Sequence, residues 1–252
     1  SLIHAVESSR IEAKSLVMSG IAAGEACLNR DEKEMGVVLI DIGGGVTTIT
    51  MFQNGSIANA AVLPVGGHQF TTDLAVALNT PYDVAEELKL RHGQANAEDV
   101  GEERVEVQAF GDRRTVKVEK RLVCQYLKDR CEEVMHLAQM KVRDFGAIAM
   151  PAAGIVLTGG VANLPGIDKV ARQVFNSPAR IGLPGGLHGL PDGMNDPSYA
   201  TSVGILLWAM RQPDPNSKVA DSKNGRSNGL QSYSGNDGPL RWFKEKVKRV
   251  AS

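Results

Sequence analysis

Two short apolar runs, each ending in a glycine-rich turn, constrain this chain more than anything else in it. The first is Val37-Val38-Leu39-Ile40, followed by Asp41-Ile42-Gly43-Gly44-Gly45-Val46-Thr47-Thr48. The second is Ile155-Val156-Leu157, followed by Thr158-Gly159-Gly160-Val161-Ala162-Asn163. A continuous apolar run without alternation marks a strand covered on both faces, which calls for an α/β fold with helices on either side of a sheet. Glycines directly after such a strand let backbone N–H groups approach an anion with no side chain between. One such turn is common. Two in this order suggest one nucleotide held between two loops.

The segments between them are consistent with that class. Residues 2–14 and 19–29 carry apolar residues at helical spacing. After the first glycines, Thr47–Gln53 is rich in β-formers, Asn54-Gly55 is a strong hairpin signal, and Ser56–Leu63 returns as the partner strand. A helix is expected over about 69–78. Thr80-Pro81 with Asp83 then starts another, which carries Glu86, Glu87, Lys89 and Arg91 and stops at Gly93. Residues 105–110 and 115–118 alternate around Gly111-Asp112 as a second hairpin, and a long helix is expected over about 119–144. After the second strand come a helix over 164–175, capped by Asn163, a short strand over 179–181 and a packed helix over 199–210.

At 252 residues and a formal net charge of −1, the chain can bury a substantial core and has no global basic field that would argue for nucleic acid. No run of eighteen apolar residues exists and no signal peptide is visible. Cys27, Cys124 and Cys131 form no C-x-x-C pair and read as buried free thiols, which suits a reducing compartment. The chain starts at Ser1 and enters directly into a helix, and it reads as the later part of a longer protein.

Asp41 at a strand end is placed to hold a magnesium ion through water, because that ion keeps much of its hydration shell. Thr47 or Thr48 would add a hydroxyl donor. A plainer account makes Gly43–Gly45 a tight hairpin turn with Asp41 as a turn former. His68, His92, His136 and His188 are scattered and read as surface or packing residues.

The motifs become specific when taken together. They are Asp31 to Gly45, Pro64-Val65-Gly66-Gly67, Glu86-x-x-Lys89, Leu88 to Gly93, Ala153 to Gly160, and Arg180 to Pro184 with Gly189-Leu190. In this order the chain resembles the second half of the actin-like ATPase superfamily, and more narrowly the bacterial cell division family FtsA, over residues 1–211 and again at the C-terminal helix. The resemblance implies an actin-like (ribonuclease H-like) α/β fold binding ATP with Mg2+. Asp41, Gly43, Gly44, Gly45 and Thr47 would form the second phosphate loop, Glu86 and Lys89 would lie near ribose and adenine, and Gly159 and Gly160 would form the adenosine loop. It implies a nucleotide-binding subdomain formed by 1–97 and 147–211, with a smaller subdomain over 98–146. That smaller subdomain would take the C-terminal tail of the tubulin-like partner FtsZ, with Arg130 and Lys128 of the long helix meeting an acidic peptide. On residues alone, a solvated helix face with i,i+4 pairs is the favoured reading of those cations. The resemblance also implies self-association into filaments, contacts with other division proteins, and a peripheral position on the cytoplasmic side of the inner membrane at the septum. Val46 departs from the threonine usual in the family, and Thr48 from an aspartate. The first phosphate loop and the small subdomain before it are missing, so residues 1–252 alone are expected to bind ATP weakly and hydrolyse it slowly at most.

From 212 to 238 the composition turns to Ser, Asn, Asp, Lys, Gly and Pro, so the segment lacks the apolar surface to offset its ordering entropy and is expected to be a disordered linker spanning roughly 30 Å. Residues 239–252 then form a basic amphipathic stretch with five basic groups and one acid. On a helical wheel Leu240, Phe243, Val247 and Val250 share one face, Lys244 and Lys248 lie opposite, and Trp242 suits an interface. Such a helix targets an anionic membrane surface or docks on a partner protein. An actin-fold sugar kinase or chaperone-type ATPase would want a catalytic acid or base at a cleft and has no use for this tail. A pilus-assembly relative would share the loops and lack the tail.

Overall fold

The computed structural model describes residues 2–98, 100–111, 114–146 and 150–212. The linker expected over 212–238 and the amphipathic helix over 239–252 therefore lie, from residue 213 onward, outside the described residues. Ser1–Leu207 make one compact unit, and Trp208–Ser252 a second, of which only 208–212 are described.

The centre is a five-stranded sheet. Its strands are β1 (Val37–Ile42), β2 (Thr47–Gln53), β3 (Ser56–Leu63), β6 (Ile155–Thr158) and β7 (Ala179–Ile181), in the order β3-β2-β1-β6-β7. β1 pairs antiparallel with β2 and parallel with β6, and β6 pairs parallel with β7. Asn54 and Gly55 both have positive φ, 51° and 75°, as a two-residue hairpin between β2 and β3 requires.

The apolar run of β1 is divided between the two faces. Val38, Ile40 and Ile42 enter one core and Val37 and Leu39 the other, all essentially inaccessible to water. On the first face pack α4 (Gly67–Ala77), α5 (Tyr82–His92), α6 (Lys120–Asp144) and α7 (Ile167–Phe175). On the second pack α2 (Ser19–Cys27) and the start of α8 (Ala200–Arg211), where Val203 and Leu207 meet Ala23 and Ala26. The 25 residues of α6 bury Val123, Leu127, Cys131, Val134, Ala138 and Val142, an apolar stripe at helical spacing. Beside α6 lies an antiparallel ribbon of β4 (Arg104–Gln108) and β5 (Thr115–Glu119). The short α3 (Arg30–Met35) opens on a capping box in which Asn29 accepts from the Glu32 amide and Glu32 from the Asn29 amide.

Two boundaries differ from expectation. The first helix, α1 (Leu2–Ser8), stops where Arg10 takes φ 60°, short of the residue 14 that its apolar spacing allows. Asn163 caps nothing: it ends a 3-10 turn over Gly160–Asn163, and α7 begins only at Ile167 after Gly166. Gly166 stands where a helix from Leu164 would have to propagate, and it is left-handed at φ 87°. All three cysteines are free and buried, Cys124 and Cys131 completely.

Candidate functional site

The parallel pairing of β1 with β6 puts Asp41 opposite Thr158, so both glycine turns leave the same edge of the sheet on adjacent strands. Carboxyl ends of neighbouring parallel strands are where α/β folds hold their ligands. The fit is close. A methyl group on Gly159 would sit 2.5 Å from the carbonyl oxygen of Ile42 and also collide with Asp41 Oδ1, and Gly159 itself has φ 85°. The second turn is therefore pressed against the base of the first.

A third turn completes the mouth. The amides of Gly67 and His68 donate to the carbonyls of Gly43 and Gly44, at 2.9 and 2.7 Å. A methyl on Gly66 would meet the Gly43 carbonyl oxygen at 2.6 Å. Gly67 also faces the second loop, with Val161 Cγ2 3.2 Å from where its Cβ would be. At the tip of the first loop the order reverses: Gly44 and Gly45 are exposed, and their amides have no acceptor among the described residues. Two unpartnered N–H groups on exposed glycines can hold an anion.

Asp41 Oδ2 accepts a 2.9 Å bond from the hydroxyl of Thr201, on α8. Burial raises its carboxyl above the usual carboxylate range, and the Thr201 bond opposes that only in part. A cation near Asp41 would relieve this penalty. No cluster of three or more His, Cys, Asp or Glu side chains suited to a metal occurs among the described residues. A magnesium ion here would thus take most of its ligands from water and phosphate oxygens, which is how that ion is commonly held.

Glu86 and Lys89 come together, but around α4. Lys89 Nζ donates to Glu86 Oε2 (2.7 Å), to Thr71 Oγ1 (2.8 Å) and to the Gly67 carbonyl (3.3 Å), while Thr71 also donates to Glu86. Burial disfavours the charged form of Glu86, yet the bonds from Lys89 and Thr71 outweigh it and hold the carboxyl below its ordinary value. This network secures the first turn of α4, and through Gly67 it adjoins both glycine loops.

Two expectations need correction. Thr47 does not present its hydroxyl at the mouth: it is fully buried and donates to the Val65 carbonyl at 2.7 Å, fastening the Gly66 turn. It opens β2, six of whose seven residues are buried. Arg130 is likewise committed. Its Nε and Nη2 grip the two carboxylate oxygens of Asp73 at 2.6 and 2.8 Å, and Nη1 binds Glu133. The cavity of about 350 Å3 beside it is lined by Asp73, Asp129 and Glu133 as well as Tyr126, Val76 and Ala77. Arg130 thus joins α6 to α4 through Asp73, with its guanidinium shared between two carboxylates. Lys128 is held loosely, 3.9 Å from Glu98 and 3.8 Å from Glu132. Sequence reasoning missed His68, which stands over Gly44 and Gly45 with Nδ1 2.6 Å from the Tyr82 hydroxyl. Its position directly after Gly66-Gly67 was the available signal.

The family profile described as "Cell division protein FtsA" matches residues 38–204, and so takes in both glycine turns and everything between them. The chain belongs to the FtsA family. The FtsA of Pseudomonas aeruginosa is 35% identical over 240 residues, 95% of this chain and 56% of that protein. The FtsA of Escherichia coli K12 is 36% identical over 216 residues, 82% of this chain and 51% of that protein. The chain thus spans about half the length of the curated FtsA relatives it matches. Among solved structures, MreB5 of Spiroplasma citri bound to ADP superposes with a TM-score of 0.66 at 18% identity, covering 82% of this chain and 63% of that one. A MamK double helical filament matches at 0.57 and 19%, covering 84% and 64%. These likenesses establish the actin-like fold expected from the sequence. No helix among the described residues is long and apolar enough to cross a membrane.

Proposed function

We propose that this chain is the ATP-gripping later part of an FtsA-type division protein that polymerises and tethers FtsZ filaments to the cytoplasmic face of the inner membrane at the septum. The observation that carries the nucleotide half of this reading is the meeting of three glycine turns around Asp41, with free amides at Gly44 and Gly45. ATP would lie with its phosphates on Gly43–Gly45, its Mg2+ bound through water to Asp41, its adenosine against Gly159 and Gly160, and Glu86 and Lys89 beside the ribose and adenine. Nucleotide acts here as a ligand that sets filament assembly, with slow turnover at most. The FtsZ tail would dock on the subdomain over 98–146, with Lys128 in place of the committed Arg130, and other division proteins would gather on the resulting filament. The ADP-bound MreB5 and the MamK filament, as relatives in fold, support nucleotide binding and self-association without extending further.

The membrane half rests on residues 239–252. Five basic groups near an anionic surface contribute about 1 kcal/mol each, and the face of Leu240, Phe243, Val247 and Val250 adds burial. Residues 1–252 should float with anionic liposomes, whereas residues 1–238 should remain at the bottom of the gradient. Flotation of the longer chain should also weaken as salt is raised. Equal behaviour of the two chains would overturn the tether and favour an actin-fold ATPase whose tail binds a protein.

A further inference from the structure

We infer that His68 is the residue by which the site reads the last phosphate, donating from Nε2 to a nucleoside triphosphate and finding no partner in the diphosphate; the inference rests on the nucleotide reading above. Three observations on the molecule lead there. The first is position. At the N-terminus of α4, successive residues face opposite sides of the mouth: Gly67 touches Val161 of the second loop, and His68 lies over the tip of the first. A methyl at Gly44 would be 3.7 Å from His68 Nε2, and one at Gly45 would be 3.9 Å from Cδ2. A nucleoside seated on Gly159–Gly160 sends its phosphates from the base of the first loop, where Gly159 abuts Asp41 and Ile42, toward the exposed tip at Gly44–Gly45. The end of that phosphate chain is the part that arrives beneath the imidazole.

The second observation is the partner of the ring. Tyr82, the first residue of α5, holds its hydroxyl 2.6 Å from His68 Nδ1. With the phenol donating, Nδ1 is the acceptor and the proton sits on Nε2, the nitrogen directed at Gly44. In that tautomer the ring is a donor aimed at the place where phosphate oxygens would be. The opposite tautomer would offer a lone pair to an anion and repel it. The third observation is occupancy: His68 is exposed, and its ring has no hydrogen-bond partner other than that hydroxyl among the described residues, so Nε2 is available. Nearby, the Glu86 carboxylate is bonded to Lys89 and Thr71 and reaches the ring through its charge alone, with no hydrogen bond to it.

Imidazole NMR of the full chain, titrated with MgATP and separately with MgADP to millimolar levels, tests this even where affinity is weak. MgATP should shift the His68 ring signals, MgADP should leave them nearly in place, and both should move the amides of Gly44 and Gly160. A charge-assisted hydrogen bond lost from a site corresponds to roughly tenfold in affinity, so His68→Ala should weaken ATP by about that factor while ADP changes by less than about twofold. His68→Gln, whose amide nitrogen reaches where Nε2 was, should restore most of the loss. Tyr82→Phe should reduce the ATP preference without reducing ADP binding. A His68 ring unmoved by ATP while the glycine amides shift overturns the inference and leaves the nucleotide reading standing. So does a His68→Ala variant that weakens ATP and ADP equally. If neither nucleotide moves the glycine amides, the nucleotide reading itself fails and takes this one with it.

Discussion

Gly159→Ala should lower the melting temperature by about 10 °C and abolish ATP binding, with the size of the shift set by a loss of about 3 kcal/mol. Two costs combine. Alanine at φ 85° is strained by about 1–2 kcal/mol. Its Cβ would also lie 2.5 Å from the Ile42 carbonyl oxygen, a backbone atom that cannot rotate away, and against the Asp41 carboxylate. Relief requires β6 to move off β1 at the Asp41–Thr158 pair, which opens the mouth where the ligand is held. Gly160→Ala is the matched control. Its nearest new neighbour would be Ser198 Cβ at 3.9 Å, so its stability should stay within about 0.5 kcal/mol of the parent. Thermal melts of the two variants decide the matter, and a Gly159→Ala protein melting like the parent would refute the close approach of the two turns.

Gly204→Ala should be nearly as damaging, although it lies on the other face of the sheet. At this residue α8 crosses α2 so closely that a methyl group would overlap the backbone carbonyl of Ala22. Overpacking of this kind costs about 1–3 kcal/mol and sometimes more, and no flexible side chain is available to absorb it. One turn earlier on the same helix, Thr201 donates to Asp41. Displacing α8 therefore also withdraws the hydroxyl that offsets part of the burial penalty on that carboxylate. The expected result is a large drop in melting temperature and, in whatever protein folds, weaker ATP binding than in Ile205→Ala, which changes an exposed neighbour. Equal melting of Gly204→Ala and Ile205→Ala would show that the helices have room to part.

Much of this architecture is written in short-range pattern. Val37–Ile40 reads as a doubly covered strand because its neighbours alternate between two cores, and Asn54-Gly55 reads as a hairpin because both residues tolerate positive φ. Glycine spacing likewise locates the mouth of the site. Long-range partners leave no such trace. Nothing local to Arg130 reveals Asp73, 57 residues earlier, and a basic residue on a helix looks the same whether it is gripped or free. Thr47 misleads for a related reason: a hydroxyl beside three glycines suggests a ligand donor, while a strand buried on both faces and the Val65 carbonyl decide otherwise. His68 was hidden because a histidine gains meaning only from what the fold sets around it, here Tyr82 and the tip of another loop.

The three enclosed thiols also make the folded chain a ready host for spectroscopic labels. Burial pushes the thiols of Cys27, Cys124 and Cys131 above their ordinary range, Cys131 furthest, so the nucleophilic thiolate is scarce and shielded at neutral pH. A cysteine placed on an exposed position such as Val76 or Leu90 then becomes the fast-reacting sulfur of the native protein. A dye or spin label can be attached there with the native cysteines left in place, and the motion of α4 or α5 can be followed in the unaltered core.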